Sequence, residues 1–118
     1  MSYRSIFRPD AFAGKVVIVT GGGSGIGRCT AHELAALGAH VVITGRKIEK
    51  LQHVSNEITE DGGRVHFIVC DNREEQQVKE MIAEVIEKFG RIDGLVNNAG
   101  GQFPSALEGI SANGFDAV

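Results

Sequence analysis

Residues 15–20, KVVIVT, form an unbroken apolar and β-branched run that ends in the glycine cluster of TGGGSGIG, residues 20–27. Such a run suits a strand buried on both faces of a parallel sheet, which requires covering layers above and below it. Behind the glycines, Ile26, Cys29, Leu34 and Leu37 recur at roughly helical spacing, and Gly38 offers a helix stop. The opening of the chain therefore reads strand, glycine turn, helix.

The same alternation continues. HVVIT (40–44) is a second strand, followed by a helix with Ile48, Leu51, Val54 and Ile58 on one face, closed by EDGG at 60–63. RVHFIVC (64–70) is a third strand. Asp71 or Asn72 is expected to cap the next helix, with Glu74 and Glu75 in its first turn and a stripe of Val78, Met81, Ile82, Val85, Ile86 and Phe89. GLVNN (94–98) is a fourth strand, and Ser111 a candidate cap for a helix that follows it. Strands and helices alternating at these lengths imply right-handed parallel crossovers. The predicted fold is thus α/β, a Rossmann-type doubly wound parallel sheet with strand order 3-2-1-4 and its second half missing.

The turn itself carries chemistry. Gly21, Gly25 and Gly27 follow a strand and open a helix, where glycine permits a tight turn, close approach of a pyrophosphate and close helix-strand packing. The helix N-terminus would face the phosphate charge, and Ser24 adds a hydroxyl donor. A flexible turn without ligand is the alternative, disfavoured by the strand-turn-helix context. The spacing is neither G-x-G-x-x-G nor a Walker loop, since no Gly-Lys-Ser/Thr follows.

TGGGSGIG resembles the T-G-x-x-x-G-I-G signature of the short-chain dehydrogenase/reductase family. NNAG at 97–100 resembles its second signature, and Asp71 stands between them at the end of strand three. The resemblance implies that Gly21, Ser24, Gly25, Ile26 and Gly27 line a dinucleotide pyrophosphate. It also implies that Asp71 binds the adenine amino group with Asn72 beside it, that Asn98, Ala99 and Gly100 border the adenosine ribose, and that Asn97 ties the central strands. At the end of strand two the sequence is TGRK, with no acid until Glu49. A carboxylate there would serve a ribose 2′-hydroxyl, whereas Arg46 and Lys47 suit a 2′-phosphate, so NADP(H) is the expected cofactor. The alternative is that both merely begin a solvated helix.

Hydride transfer in the family rests on a Tyr-x-x-x-Lys pair with a Ser and an orienting Asn. The single tyrosine here, Tyr3, has Phe7 four positions on, so no catalytic residue is assigned within residues 1–118. The resemblance spans about the first half of a family member. Residues 1–118 are expected to be the N-terminal dinucleotide-binding part of one incomplete domain, inactive alone, whose parent is an oxidoreductase and a homo-oligomer, tetramer or dimer. In isolation strand four would be an exposed apolar edge. Gly101, Gln102 and Phe103 look like the branch holding enoyl-CoA and dienoyl-CoA reductases and citronellol or isoprenoid dehydrogenases. A catalytically empty nucleotide-binding or sensor module is the rival reading.

Other classes lose support. A net charge of −3 without a basic stripe argues against nucleic acid and anionic membrane as partners. Cys29 and Cys70 lack CxxC spacing, so no metal site is expected, and a reduced, cytoplasmic setting fits. Pro9 and the charges of the first fifteen residues break any signal-length apolar run, and no stretch is long enough to span a bilayer. His32, His40, His53 and His66 fall on separate elements and are expected to share no partner. The pairs Glu74/Glu75 and Glu84/Glu87 read as helix faces.

Overall fold

The structure, a computed structural model, describes residues 3–98. Strand β1 (Val16–Thr20) is buried along its whole length, as its β-branched run demands. The chain then alternates through α1 (Gly25–Ala36), β2 (His40–Gly45), α2 (Ile48–Glu60), β3 (Arg64–Val69), α3 (Glu75–Phe89) and β4 (Gly94–Val96). All pairings are parallel, in the order β3-β2-β1-β4. This is the doubly wound arrangement expected from the alternation.

Alternate residues of the central strands face opposite layers. Val17, Val19, Val41 and Ile43 pack with Ala31 and Ala35 of α1 and with Leu51, Val54 and Ile58 of α2. Val16, Ile18 and Val42 pack with Met81 and Val85 of α3. The chain steps outward from β1 to β3 beneath α1 and α2, then returns to the other side of β1 by way of α3. That reversal leaves a crevice between the C-terminal ends of β1 and β4, where ligands of such sheets bind. Among the described residues β4 pairs with β1 alone, and Leu95 is 60% exposed on it.

Three expectations need correction. Of the expected α1 stripe Leu34 packs against the core and Leu37 is buried, but Ile26 and Cys29 are exposed, and the fully buried face of the helix is Gly27, Ala31, His32 and Ala35. The start of the helix lies so close to β1 at Gly27 that contact there selects small residues over large ones. Asp71 and Asn72 do not cap α3. Its N-cap is Glu74, because the Asp71 carboxylate accepts the Arg73 N–H at 3.0 Å and the Asp71 carbonyl accepts the Glu74 N–H at 2.9 Å, closing a turn before the helix. Ile48, Ile82 and Ile86 also stand at least one-third exposed, on the outer edges of their stripes.

The histidines do share partners. His32 is buried on α1 with Nε2 3.1 Å from Glu57 Oε1, and His53 Nε2 lies 3.5 Å from the other oxygen of the same carboxylate. The Arg28 guanidinium completes the group, its Nε donating to Glu57 Oε1 at 2.9 Å. On the far face, the His40 and His66 rings lie 4.3 and 5.8 Å from that of Phe89, and His66 Nε2 is 2.8 Å from Glu84. Chain separation hides these meetings, because the crossovers bring α1 against α2 and β2 and β3 against α3.

Glu57 makes acid stability testable. The Arg28 hydrogen bond, helped by His32, holds its carboxyl at about 2 against an ordinary 4.5. The unfolded chain therefore binds this proton more readily, so the stabilisation is full above pH 4.5 and is lost as pH falls toward 2. Glu57→Gln is expected to cost about 2 kcal/mol at pH 7, the scale of charge-assisted hydrogen bonds. In urea melts across this range the gap between wild type and variant should close at the acid end, and a constant gap would contradict the assignment. Thr44 offers a second test, since its Oγ1 is buried and has no hydrogen-bond partner among the described residues. Thr44→Val should raise stability by about 1 kcal/mol in the same melts.

Candidate functional site

The crevice is built from the ends of four strands. As the chain leaves β1, Gly21 and Gly25 take φ values of 67° and 57°, in the left-handed region that favours glycine. Gly22 is needed for a different reason. Its N–H donates to the Thr44 carbonyl at 3.2 Å, and a Cβ there would come within 2.7 Å of the Ile43 side chain. At Gly27 a Cβ would overlap the Gly21 carbonyl and lie 2.6 Å from Asn98 Nδ2. Two glycines thus supply backbone sign and two supply clearance. Gly22 was legible only as part of the glycine run.

The outer side of this turn is open. A Cβ at Gly25 would meet nothing within 4 Å, so another molecule can approach its backbone. Ser24 is the N-cap of α1 in extended conformation, and its exposed side chain makes no capping bond. The N–H groups of the first turn lack intrahelical acceptors, and that turn carries no acidic residue. Free donors, an uncommitted hydroxyl and the positive end of a helix dipole together make an anion cradle. Exposed Ile26 forms its apolar lip.

Both asparagines beyond β4 brace the cradle. Asn98 donates its backbone N–H to Thr20 Oγ1 at 3.0 Å and its Nδ2 to the Gly21 carbonyl at 3.3 Å. The Thr20 hydroxyl has the Val96 carbonyl at 3.3 Å and Asn97 Oδ1 at 3.4 Å within reach. Asn98 is therefore the firmer tie between β4 and the loop, a part expected of Asn97. Ala99 and Gly100 lie outside the described residues.

Across the sheet, the Cys70 N–H donates to the Gly45 carbonyl at 2.8 Å and sets the end of β3 beside that of β2. Arg46 and Lys47 are exposed there, and neither forms an ion pair among the described residues. Lys47 is the N-cap of α2, so both cations stand at a second positive helix end. The Asp71 carboxyl is held below its ordinary range, first by the Arg73 side chain and also by the charge of Arg46. Arg73 reaches it with Nε to Oδ1 at 3.3 Å and a terminal nitrogen to Oδ2 at 3.2 Å. Gln77 accepts the Asp71 N–H at 2.8 Å, and exposed Asn72 lies beside them. Sequence reading missed Arg73 and Gln77, which belong to no motif. The expected residues thus lie along one edge of the sheet, from Asp71 through Arg46 to the glycine turn and Asn98.

Known proteins share this fold. The family model described as short chain dehydrogenase matches residues 15–118. A probable 2,4-dienoyl-CoA reductase of Bacillus subtilis is 42% identical over 104 residues, covering 88% of this chain and 41% of that protein. The solved structure of a citronellol catabolism dehydrogenase from Pseudomonas aeruginosa superposes with a TM-score of 0.84 at 60% identity, over 97% of this chain and 46% of the other. A metagenomic short-chain oxidoreductase solved in complex with NADP gives 0.79 at 39% identity, over 91% of this chain and 49% of its own. The chain spans less than half the length of each of these three.

The two kinds of glycine should separate on substitution. Gly25→Ala carries only a backbone cost of about 1–2 kcal/mol, since the space is open. Gly27→Ala forces backbone against backbone and should cost more, about 2–3 kcal/mol. Equal losses in urea denaturation would refute the close-approach role of Gly27.

Proposed function

The chain belongs to the short-chain dehydrogenase family, and from that premise we propose that residues 1–118 hold the adenosine and pyrophosphate half of NADP(H) in an oxidoreductase. That enzyme would move a hydride between nicotinamide and a carbonyl, hydroxyl or enoyl-thioester substrate. The observation that carries the reading is the Arg46–Lys47 couple, without an ion pair among the described residues, beside an acid-free glycine cradle.

The nicotinamide, when bound, supplies or accepts the hydride. This chain's residues bind and orient. The first-turn N–H groups of Gly25, Ile26 and Gly27 and the Ser24 hydroxyl would take the pyrophosphate oxygens. Gly21 keeps the turn tight enough for that approach, and Asn98 holds the Gly21 carbonyl in place while bordering the ribose with Ala99 and Gly100. Asp71, oriented by Arg73, would accept from the adenine amino group, with Asn72 flanking it. Arg46 can grip a 2′-phosphate through two parallel N–H donors, and Lys47 adds a point charge. The reading assigns these residues no acid-base chemistry. The dienoyl-CoA reductase and the citronellol dehydrogenase among the relatives support an acyl-CoA or isoprenoid substrate, with Gln102 and Phe103 as candidates to meet it, while a glucose 1-dehydrogenase of Gluconobacter oxydans is 44% identical as well.

Titration of NADPH and NADH against wild type and Arg46→Asp tests the cofactor assignment. The variant should lose at least about tenfold in NADPH affinity, or about 1.4 kcal/mol, and little for NADH. Equal loss of both would sink the NADP(H) preference. Failure of the folded wild type to bind either would sink the nucleotide reading itself.

A further inference from the structure

The opposite edge of the sheet carries a second feature that nucleotide binding does not use. Residues ahead of β1 run back over α1 and α2 as a strap. The Tyr3 N–H donates to Asp61 at 3.1 Å, the Tyr3 and Ser5 hydroxyls both donate to the Glu33 carboxylate, and the Phe12 N–H donates to the Leu37 carbonyl at 2.8 Å. The Tyr3 ring stacks on that of His32, with centroids 5.5 Å apart. The Glu33 bond pushes the Tyr3 phenol up to about 12, so it remains a donor at neutral pH.

Beneath this strap lies a cavity of about 560 Å³. Protein interiors are close-packed, and spaces of this size are those that small ligands fill. Its volume comes from short side chains where longer ones would close it: Ala35, Ala36 and Ala39, with the glycine turns at Gly38 and Gly63. Ile58 completes an apolar floor.

The charges around the cavity are unequal in availability. Of its two carboxylates, Asp10 is paired with Arg8 at 2.9 Å, and Asp61 accepts the Tyr3 N–H and faces His32 Nδ1 at 3.9 Å. His32 directs its other nitrogen to Glu57. Arg4 and Arg64 also line the cavity, and neither has an ion-pair partner among the described residues. The charges free of an ion pair are therefore cationic, beside a space whose lining is part polar, with Ser5 and His32, and part apolar, with Ala35, Ala39 and Ile58.

We propose that this cavity binds a monocarboxylate with an apolar tail, the tail lying over Ala35, Ala39 and Ile58 and the carboxylate facing Arg4 and Arg64. The site is at the N-terminal ends of the strands, across the sheet from the glycine turn. Its occupancy is therefore independent of the nucleotide.

Calorimetric titration with octanoate, octan-1-ol and octylammonium tests the proposal on the full chain. Octanoate should bind saturably at one site and at least about tenfold tighter than the neutral or cationic probe. The double variant R4Q/R64Q should lose that preference while keeping its affinity for octan-1-ol. Ala36→Leu, which fills the space from α1 and leaves both arginines, should weaken octanoate and octan-1-ol alike. Saturating NADPH should leave octanoate binding unchanged. Absence of saturable octanoate binding, equal or tighter binding of another probe, unchanged octanoate affinity in both variants, or displacement by NADPH would each overturn the proposal.

Discussion

The contact of Gly27 with the Gly21 carbonyl sets the distance between α1 and β1, and much of the structure follows from it. At that separation the start of the helix presents Gly27, Ala31 and Ala35 to the sheet, with Leu34 packed at the edge of the core and His32 at the margin near Glu57 of α2. The same contact draws the start of α1 over the end of β1, so its unpaired N–H groups open into the crevice. Asn98 closes the arrangement from β4, because its amide reaches the same Gly21 carbonyl. One steric constraint thus joins the packing of a helix to the geometry of an anion cradle.

Electrostatics divides the two ends of the sheet. At the C-terminal edge, the N-termini of α1 and α2, Arg46 and Lys47 concentrate positive potential, and Arg73 pairs with Asp71. An anionic ligand meets no acidic side chain in the first turn of α1. The N-terminal edge instead holds carboxylates, Glu33, Glu57 and Asp61, each engaged by a donor from a neighbouring element. The Glu33 and Asp61 bonds fasten the strap to α1 and α2, and the small residues beneath it leave the cavity. Stability near Glu57 and ligand binding at the glycine turn are thus physically separate, since they lie on opposite ends of the same strands.

Much of this was legible in one dimension. The β-branched run at 16–19 announces a strand buried on both faces, and the alternation of periods 2 and 3.6 leaves few topologies once crossover handedness is imposed. The glycine turn, the Ser24 hydroxyl beside it and the acid-free end of β2 were readable because each acts through the backbone or through neighbours close in sequence. Arg73 and Gln77 were not readable, since their roles exist only after the chain turns at Asp71. The face of α1 was misjudged because hydropathy ranks Ile26 above Ala31, whereas close packing ranks them the other way.

By itself the sequence determined the order and type of elements, the parallel sheet and the location of its glycine crevice, because these depend on local periodicity and backbone freedom. The tertiary structure alone decided which face of α1 is buried, that Asp71 turns to Arg73 instead of capping α3, and that Glu57 gathers Arg28, His32 and His53. It also decided that a strap and two glycine turns border an open cavity. Each of these requires groups distant along the chain to meet at fixed separation, and periodicity carries no record of that distance.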